Sequence, residues 1–98
     1  MMQANAVEIV KWKSVPGVSD QAMRDAAHAL LPDLRAVGGF VDKVLCRHGD
    51  EWVDVYFWCT EQDAHLSNER MAGSQSLAKL MTLVQADTVS IVVMPKVE

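Results

Sequence analysis

A chain of 98 residues, half of them hydrophobic and 22% charged, has the size and balance of one folded domain. A chain of this length buries about 60 to 65% of its unfolded surface, and the composition is far from that of a disordered segment. Nine basic against thirteen acidic side chains give a formal charge of −4, and the Lys and Arg residues are scattered, so the basic footprint of a nucleic-acid binder is missing. Apolar runs fall far short of the roughly 20 residues a membrane helix requires, and Met1-Met2-Gln3-Ala4-Asn5 lacks the basic and apolar regions of a secretion leader. The expected address is the cytoplasm, with neither nucleic acid nor membrane as a partner.

Residues 6–13, Ala-Val-Glu-Ile-Val-Lys-Trp-Lys, are rich in β-branched and aromatic types and stop at Ser14-Val15-Pro16-Gly17, which predicts a strand and a turn. Ser19 is placed to cap a helix in which Met23, Ala26, Ala27, Leu30, Leu31, Leu34 and Val37 recur at intervals of three and four. Pro32 removes a backbone donor, so a kink or restart is expected there, and Gly38-Gly39 closes the segment.

Phe40 to His48 reads as strand two, Gly49-Asp50 as a tight turn, and Trp52 to Cys59 as strand three running back. Thr60 with Asp63 makes a capping box for a helix from Glu61, which Gly73-Ser74 breaks before a stretch carrying Leu77, Leu80, Met81 and Val84 on one face. Asp87 to Met94 reads as the last strand. The pattern βαββαβ fits a single α+β domain over residues 1–98: a ferredoxin-like, four-stranded antiparallel sheet with its helices on one face.

Cys46 and Cys59 fall on neighbouring strands about six residues out of step, roughly 20 Å at the usual strand rise, too far to form a disulfide. No Cys-x-x-Cys pair or His at ligand spacing accompanies them, and no metal site is expected.

Strand three alternates two sets of side chains: Val53, Val55, Phe57 and Cys59 on one face, Trp52, Asp54, Tyr56 and Trp58 on the other. Taking the first set as the core beneath the helices leaves Trp52, Tyr56 and Trp58, with Trp12, Val10 and Val92, on an open face. Each large aromatic covers about 150 to 250 Å², more together than one monomer ordinarily leaves exposed, which predicts a homodimer joined through this face. Asp54 and Tyr56 stand opposite or diagonal to Lys43 and Arg47, where they can pair.

The element order, Gly39-Phe40 leading into strand two, and the run Phe57-Trp58-Cys59-Thr60-Glu61-Gln62-Asp63-Ala64 together resemble the dimeric α/β-barrel superfamily, and within it the antibiotic-biosynthesis-monooxygenase-like branch. The third strand of that branch tends to end in Trp-x-Ser followed by an acidic residue and Ala. The resemblance implies a homodimer with a ligand site between sheet and helices, and an activity among cofactor-independent monooxygenases, isomerases, haem-degrading enzymes or proteins without known catalysis. Haem degradation is disfavoured, because that activity relies on an Asn on strand one, a Trp in helix two and a downstream His. Here Asn5 lies only at the strand margin, and Leu66 and Ser76 stand near the other two positions.

Ala64, Ser67, Asn68 and Met71 make the inward stripe of the second helix small and partly polar, which leaves room for a small apolar or aromatic ligand against Val53, Val55 and Phe57, with Trp58, the position that matches the family's Trp, a further ligand-binding candidate. Asn68 could orient a carbonyl or phenol, and His65 could exchange a proton near neutral pH. The resemblance and this stripe together lead to a cofactor-independent monooxygenase acting on an aromatic or polyketide-like molecule. The alternatives are a non-catalytic dimeric binding or stress-related protein and an isomerase or lyase using one acid or base.

Overall fold

Ala6–Lys13 forms strand β1, whose alternating branched and aromatic side chains suit a strand paired on both edges. The computed structural model describes residues 3–98. Ser19 then caps helix α1 (Asp20–His28), its Oγ accepting the Ala22 N–H at 3.1 Å. The chain restarts as helix α2 (Leu31–Ala36) with Pro32 in the first turn, where a missing N–H costs no ladder bond. The expected interruption is therefore a break into two helices.

Strands β2 (Phe40–His48) and β3 (Glu51–Trp58) form the hairpin predicted around Gly49-Asp50. Helix α3 (Glu61–Met71) begins at Thr60, whose Oγ1 accepts the Asp63 N–H at 3.0 Å. Ser74 caps helix α4 (Gln75–Leu83) in the same way. The last strand starts later than expected: Ala86–Thr88 is a 3₁₀ turn and β4 spans Ser90–Pro95. Thr88 Oγ1 accepts the Lys13 N–H at 2.9 Å, standing in for a strand partner, so the ladder with β1 begins only after it.

The sheet order is β2-β3-β1-β4, antiparallel throughout, which is the ferredoxin-like arrangement. Cys46 lies opposite Val53, six positions from Cys59, and no disulfide joins them.

The assignment of the two sheet faces is the reverse of the sequence expectation. Trp52, Asp54, Tyr56 and Trp58 are buried beneath the helices, together with Ala6, Glu8 and Trp12 of β1. Val53, Val55 and Phe57 lie on the uncovered face, with Val7 and Ile9 on β1, Val44 on β2 and Val92 and Met94 on β4. Only Val92, of the residues expected on the open face, is there, half exposed at 50%. Trp12 and Val10 belong to the covered side.

The physical reason lies in the partners of the polar atoms. Buried indoles require acceptors for their N–H groups. Trp12 finds Met23 Sδ at 3.3 Å, Trp52 finds Ser14 Oγ at 3.0 Å, and Trp58 finds Glu8 Oε1 at 2.9 Å. A bulge between Phe40 and Asp42 brings Phe40 and Lys43, an odd number of residues apart, to the same side, opposite Trp58 and Tyr56. Lys43 Nζ there meets both Asp54 carboxylate oxygens at 3.0 and 3.1 Å.

Candidate functional site

A cavity of about 340 Å³ lies between the sheet and the helices, within the roughly 300–1,000 Å³ usual for small-molecule sites. Its floor is Glu8, Trp12, Tyr56 and Trp58 of the two central strands. Leu30 and Leu34 close one side, and Leu77 and Leu80 of α4 another. Ser67, Asn68 and Met71 of α3 supply the third. Asn68, Met81 and Ile91 line the same cavity yet are exposed, so its mouth lies between α3, α4 and the β4 edge.

The aromatic floor is closely packed. Trp58, fully buried, packs edge-on against Phe40 with ring centroids 5.6 Å apart and stacks with Tyr56 at 6.2 Å. Lys43 Nζ lies 5.9 Å from the centre of the Tyr56 ring. Polar groups are few; Glu8 is held by the Trp58 N–H and Ser67 by the Ala64 carbonyl.

Among the described residues Glu8 is the only carboxylate on the cavity wall, and it is 4% exposed. One of its oxygens, Oε1, accepts the Trp58 N–H; among the described residues the other has no protein hydrogen-bond partner. Burial raises the Glu8 pKa above its ordinary value, against the lowering effects of the Trp58 hydrogen bond and of nearby His65; the Asp54 charge adds to the rise. Asp54 is also raised, because burial outweighs its pairing with Lys43. Burial, and then the charge of Asp54, push the Tyr56 phenol well above its usual value and keep it neutral.

The residues predicted from sequence divide on this geometry. Trp58, Ser67, Asn68 and Met71 line the cavity together. Ala64 is buried on the same helix face but does not reach the cavity. Two placements are corrected. Phe57 points to the uncovered side of the sheet, because its neighbour Trp58 takes the covered one. His65 is exposed and outside the cavity lining, one position off the inward stripe, although near enough for its charge to act on Glu8. The wall facing α3 is accordingly Glu8, Tyr56 and Trp58 rather than Val53, Val55 and Phe57.

Glu8 escaped the sequence reading because an acid between Val7 and Ile9 on a strand has the pattern of a solvated position. Only its pairing with an indole 50 residues away shows otherwise. Lys43 and Asp54 were visible as a possible pair; Arg47 instead stacks on Trp52 at 4.7 Å and pairs with Asp20. Among the described residues no group of three His, Cys, Asp or Glu side chains is arranged to hold a metal ion, and no helix is long and apolar enough to cross a membrane.

No family model and no curated protein matches the chain. Solved structures do. NE2512, a protein of unknown function from Nitrosomonas europaea, superposes with a TM-score of 0.75 at 15% identity, over 100% of this chain and 94% of that one. SnoaB, a cofactor-independent oxygenase from Streptomyces nogalater, gives 0.71 at 12% identity over 94% and 92% of the two chains. A monooxygenase from the gene ActVA-Orf6 of Streptomyces coelicolor, solved in complex with nanaomycin D, gives 0.70 at 16% identity over 97% and 89%. The strand order, the helix-covered face and these superpositions agree: the chain has the ferredoxin-like α+β fold found in monooxygenases of the antibiotic-biosynthesis type.

Proposed function

We propose that this protein is a cofactor-independent oxygenase for a small aromatic or polyketide-like molecule held between the sheet and the helices. The observation that carries the reading is the cavity itself: apolar walls, an aromatic floor and a few buried polar groups, on a fold shared with two oxygenases. Trp58 and Tyr56 offer flat faces for a ring, Met71 and the leucines exclude water, and along the α3 side the Asn68 amide is available to orient a carbonyl and the Ser67 oxygen to accept from a hydroxyl.

Oxygen chemistry without a cofactor draws its electrons from the substrate. A CH₂ group conjugated with a carbonyl loses a proton, the resulting carbanion passes one electron to O₂, and the radical pair combines into a peroxide anion that takes the proton back as a hydroperoxide. Loss of water then leaves a ketone, so that CH₂ and O₂ become C=O and H₂O.

Oxygen uptake with anthrone tests the reading. The wild-type protein is expected to consume oxygen above the buffer rate, and Ser67→Phe, which fills the cavity, to abolish the excess. Uptake equal to buffer sinks the proposal for anthrone-type substrates.

The same reading includes a homodimer and a cytoplasmic setting. The uncovered sheet face carries Val7, Ile9, Val44, Val55, Phe57, Val92 and Met94, with Val44 and Val92 each 50% exposed, and a second copy packed face to face would bury them. Sedimentation equilibrium at micromolar concentration is expected to report twice the 10.8 kDa chain mass.

A further inference from the structure

We infer that Glu8 is the group that takes the proton from a bound carbon acid, with Trp58 holding it in position. The inference rests on the cavity being a substrate site, as proposed above, but not on the reaction with oxygen. It starts from an asymmetry in the carboxylate. Oε1 is tied to the Trp58 N–H at 2.9 Å, whereas the second oxygen has no hydrogen-bond partner among the described residues and belongs to a side chain that lines the cavity. A carboxylate held by one oxygen and open at the other is pre-set in direction, as a general base must be.

The other polar groups of the floor cannot serve as well. Asp54 is not part of the cavity wall and has both oxygens on Lys43. Tyr56 lines the cavity but is kept a neutral phenol by burial and by Asp54, so it has no ready basic form. His65 is exposed and outside the lining. Ser67 Oγ–H is engaged by the Ala64 carbonyl at 2.6 Å. Asn68 is an amide, which does not accept a proton near neutral pH.

Burial also suits Glu8 to the task. A carboxylate in water is too weak a base to deprotonate carbon readily, and withdrawal from solvent strengthens it. In the step itself the ligand C–H bond breaks, an O–H bond forms on the open oxygen of Glu8, and the electron pair stays on carbon, spread into the carbonyl conjugated with it. Trp58 does not exchange the proton. It acts as a positioning residue whose N–H balances the charge on the fixed oxygen.

The test removes oxygen from the assay. Anthrone is incubated anaerobically with the protein in D₂O, and loss of the CH₂ proton signal is followed by NMR, while quenching of tryptophan fluorescence reports binding. Wild type is expected to exchange the proton faster than buffer. Glu8→Gln, which keeps an acceptor for Trp58, is expected to bind anthrone and lose about 10²- to 10⁴-fold in the catalysed exchange rate. Should that variant not fold, Glu8→Asp serves instead: it keeps the charge but withdraws it by one methylene, and a drop of at least about tenfold is expected.

Exchange by Glu8→Gln or Glu8→Asp at the wild-type rate overturns the inference, as does a wild-type rate equal to buffer. The two proposals separate cleanly. Exchange without aerobic oxygen uptake retains Glu8 as a base and removes the oxygenase, leaving an isomerase or lyase. Oxygen uptake with exchange indifferent to Glu8 does the reverse.

Discussion

Removing Lys43 isolates the strongest electrostatic contact in the core. Its Nζ sits 3.0 and 3.1 Å from the two Asp54 oxygens, and the side chains are only 2% and 0% exposed, so neither water nor another cation can replace it. Lys43→Met keeps most of the buried length and deletes the charge. Breaking a buried pair from one side costs about 3–5 kcal/mol, since the remaining ion is stranded, a large share of the roughly 5–15 kcal/mol that stabilises a domain.

Urea unfolding followed by tryptophan fluorescence, at pH 7 and one fixed protein concentration, should therefore show the midpoint falling by at least about 1 M at an m value of roughly 1–3 kcal/mol/M. The pH dependence has a definite sign. Burial already raises Asp54 above its ordinary 3.8 despite the attraction of Lys43; without Lys43 it rises further. In the window above 3.8 the native variant then holds a proton that the unfolded chain has released, so its deficit shrinks as the pH is lowered from 7 toward 5 and widens again as the pH rises. Lys43→Met/Asp54→Leu, which leaves no stranded charge, should recover most of the loss. A single variant losing less than about 1 kcal/mol, or a double variant as unstable as the single one, would refute the reasoning.

Glu8→Gln should stabilise the protein at neutral pH, because burial raises Glu8 above its ordinary 4.5 and charging it costs the native state. Asp54 and Tyr56 face Glu8 from β3 and His65 from α3; the gain should grow as the pH rises above 4.5 and vanish below it, and parallel melting curves across that range would contradict this. Gly39→Ala should cost more than Gly38→Ala. Both glycines have positive φ, +78° and +89°, strain of about 1–3 kcal/mol for an alanine, but only at Gly39 would the new methyl collide with the Asp63 side chain. Equal melting temperatures for the two variants would count against that contact. Val55→Lys, on the uncovered face, should convert the expected dimer into a 10.8 kDa monomer in sedimentation equilibrium while leaving the far-UV spectrum unchanged.

The order of elements was legible because each boundary is a local event. Ser19 and Thr60 can satisfy helix N–H groups only where a helix starts, Pro32 forces a restart, and Gly49-Asp50 turns the hairpin, whatever lies elsewhere in the chain. The small stripe of Ser67, Asn68 and Met71 was visible for a similar reason, since helical spacing alone puts those residues on one side.

Which face of the sheet the helices cover could not be read that way. Residues 53–58 of β3 are apolar on both sides apart from Asp54, so period-two alternation separates two sets without ranking them. The choice was made by contacts between distant residues: Glu8 with Trp58, Ser14 with Trp52 and Lys43 with Asp54, the last on a strand whose bulge sets its side. Sequence alone thus determined the order of the strands and helices and most of their starts, β4 excepted, whose first residues are held as a 3₁₀ turn by the contact of Thr88 with Lys13. Tertiary structure alone decided that the tryptophan face is the inner one and that Glu8 opens into a cavity, because a buried polar atom is stable only where its partner arrives.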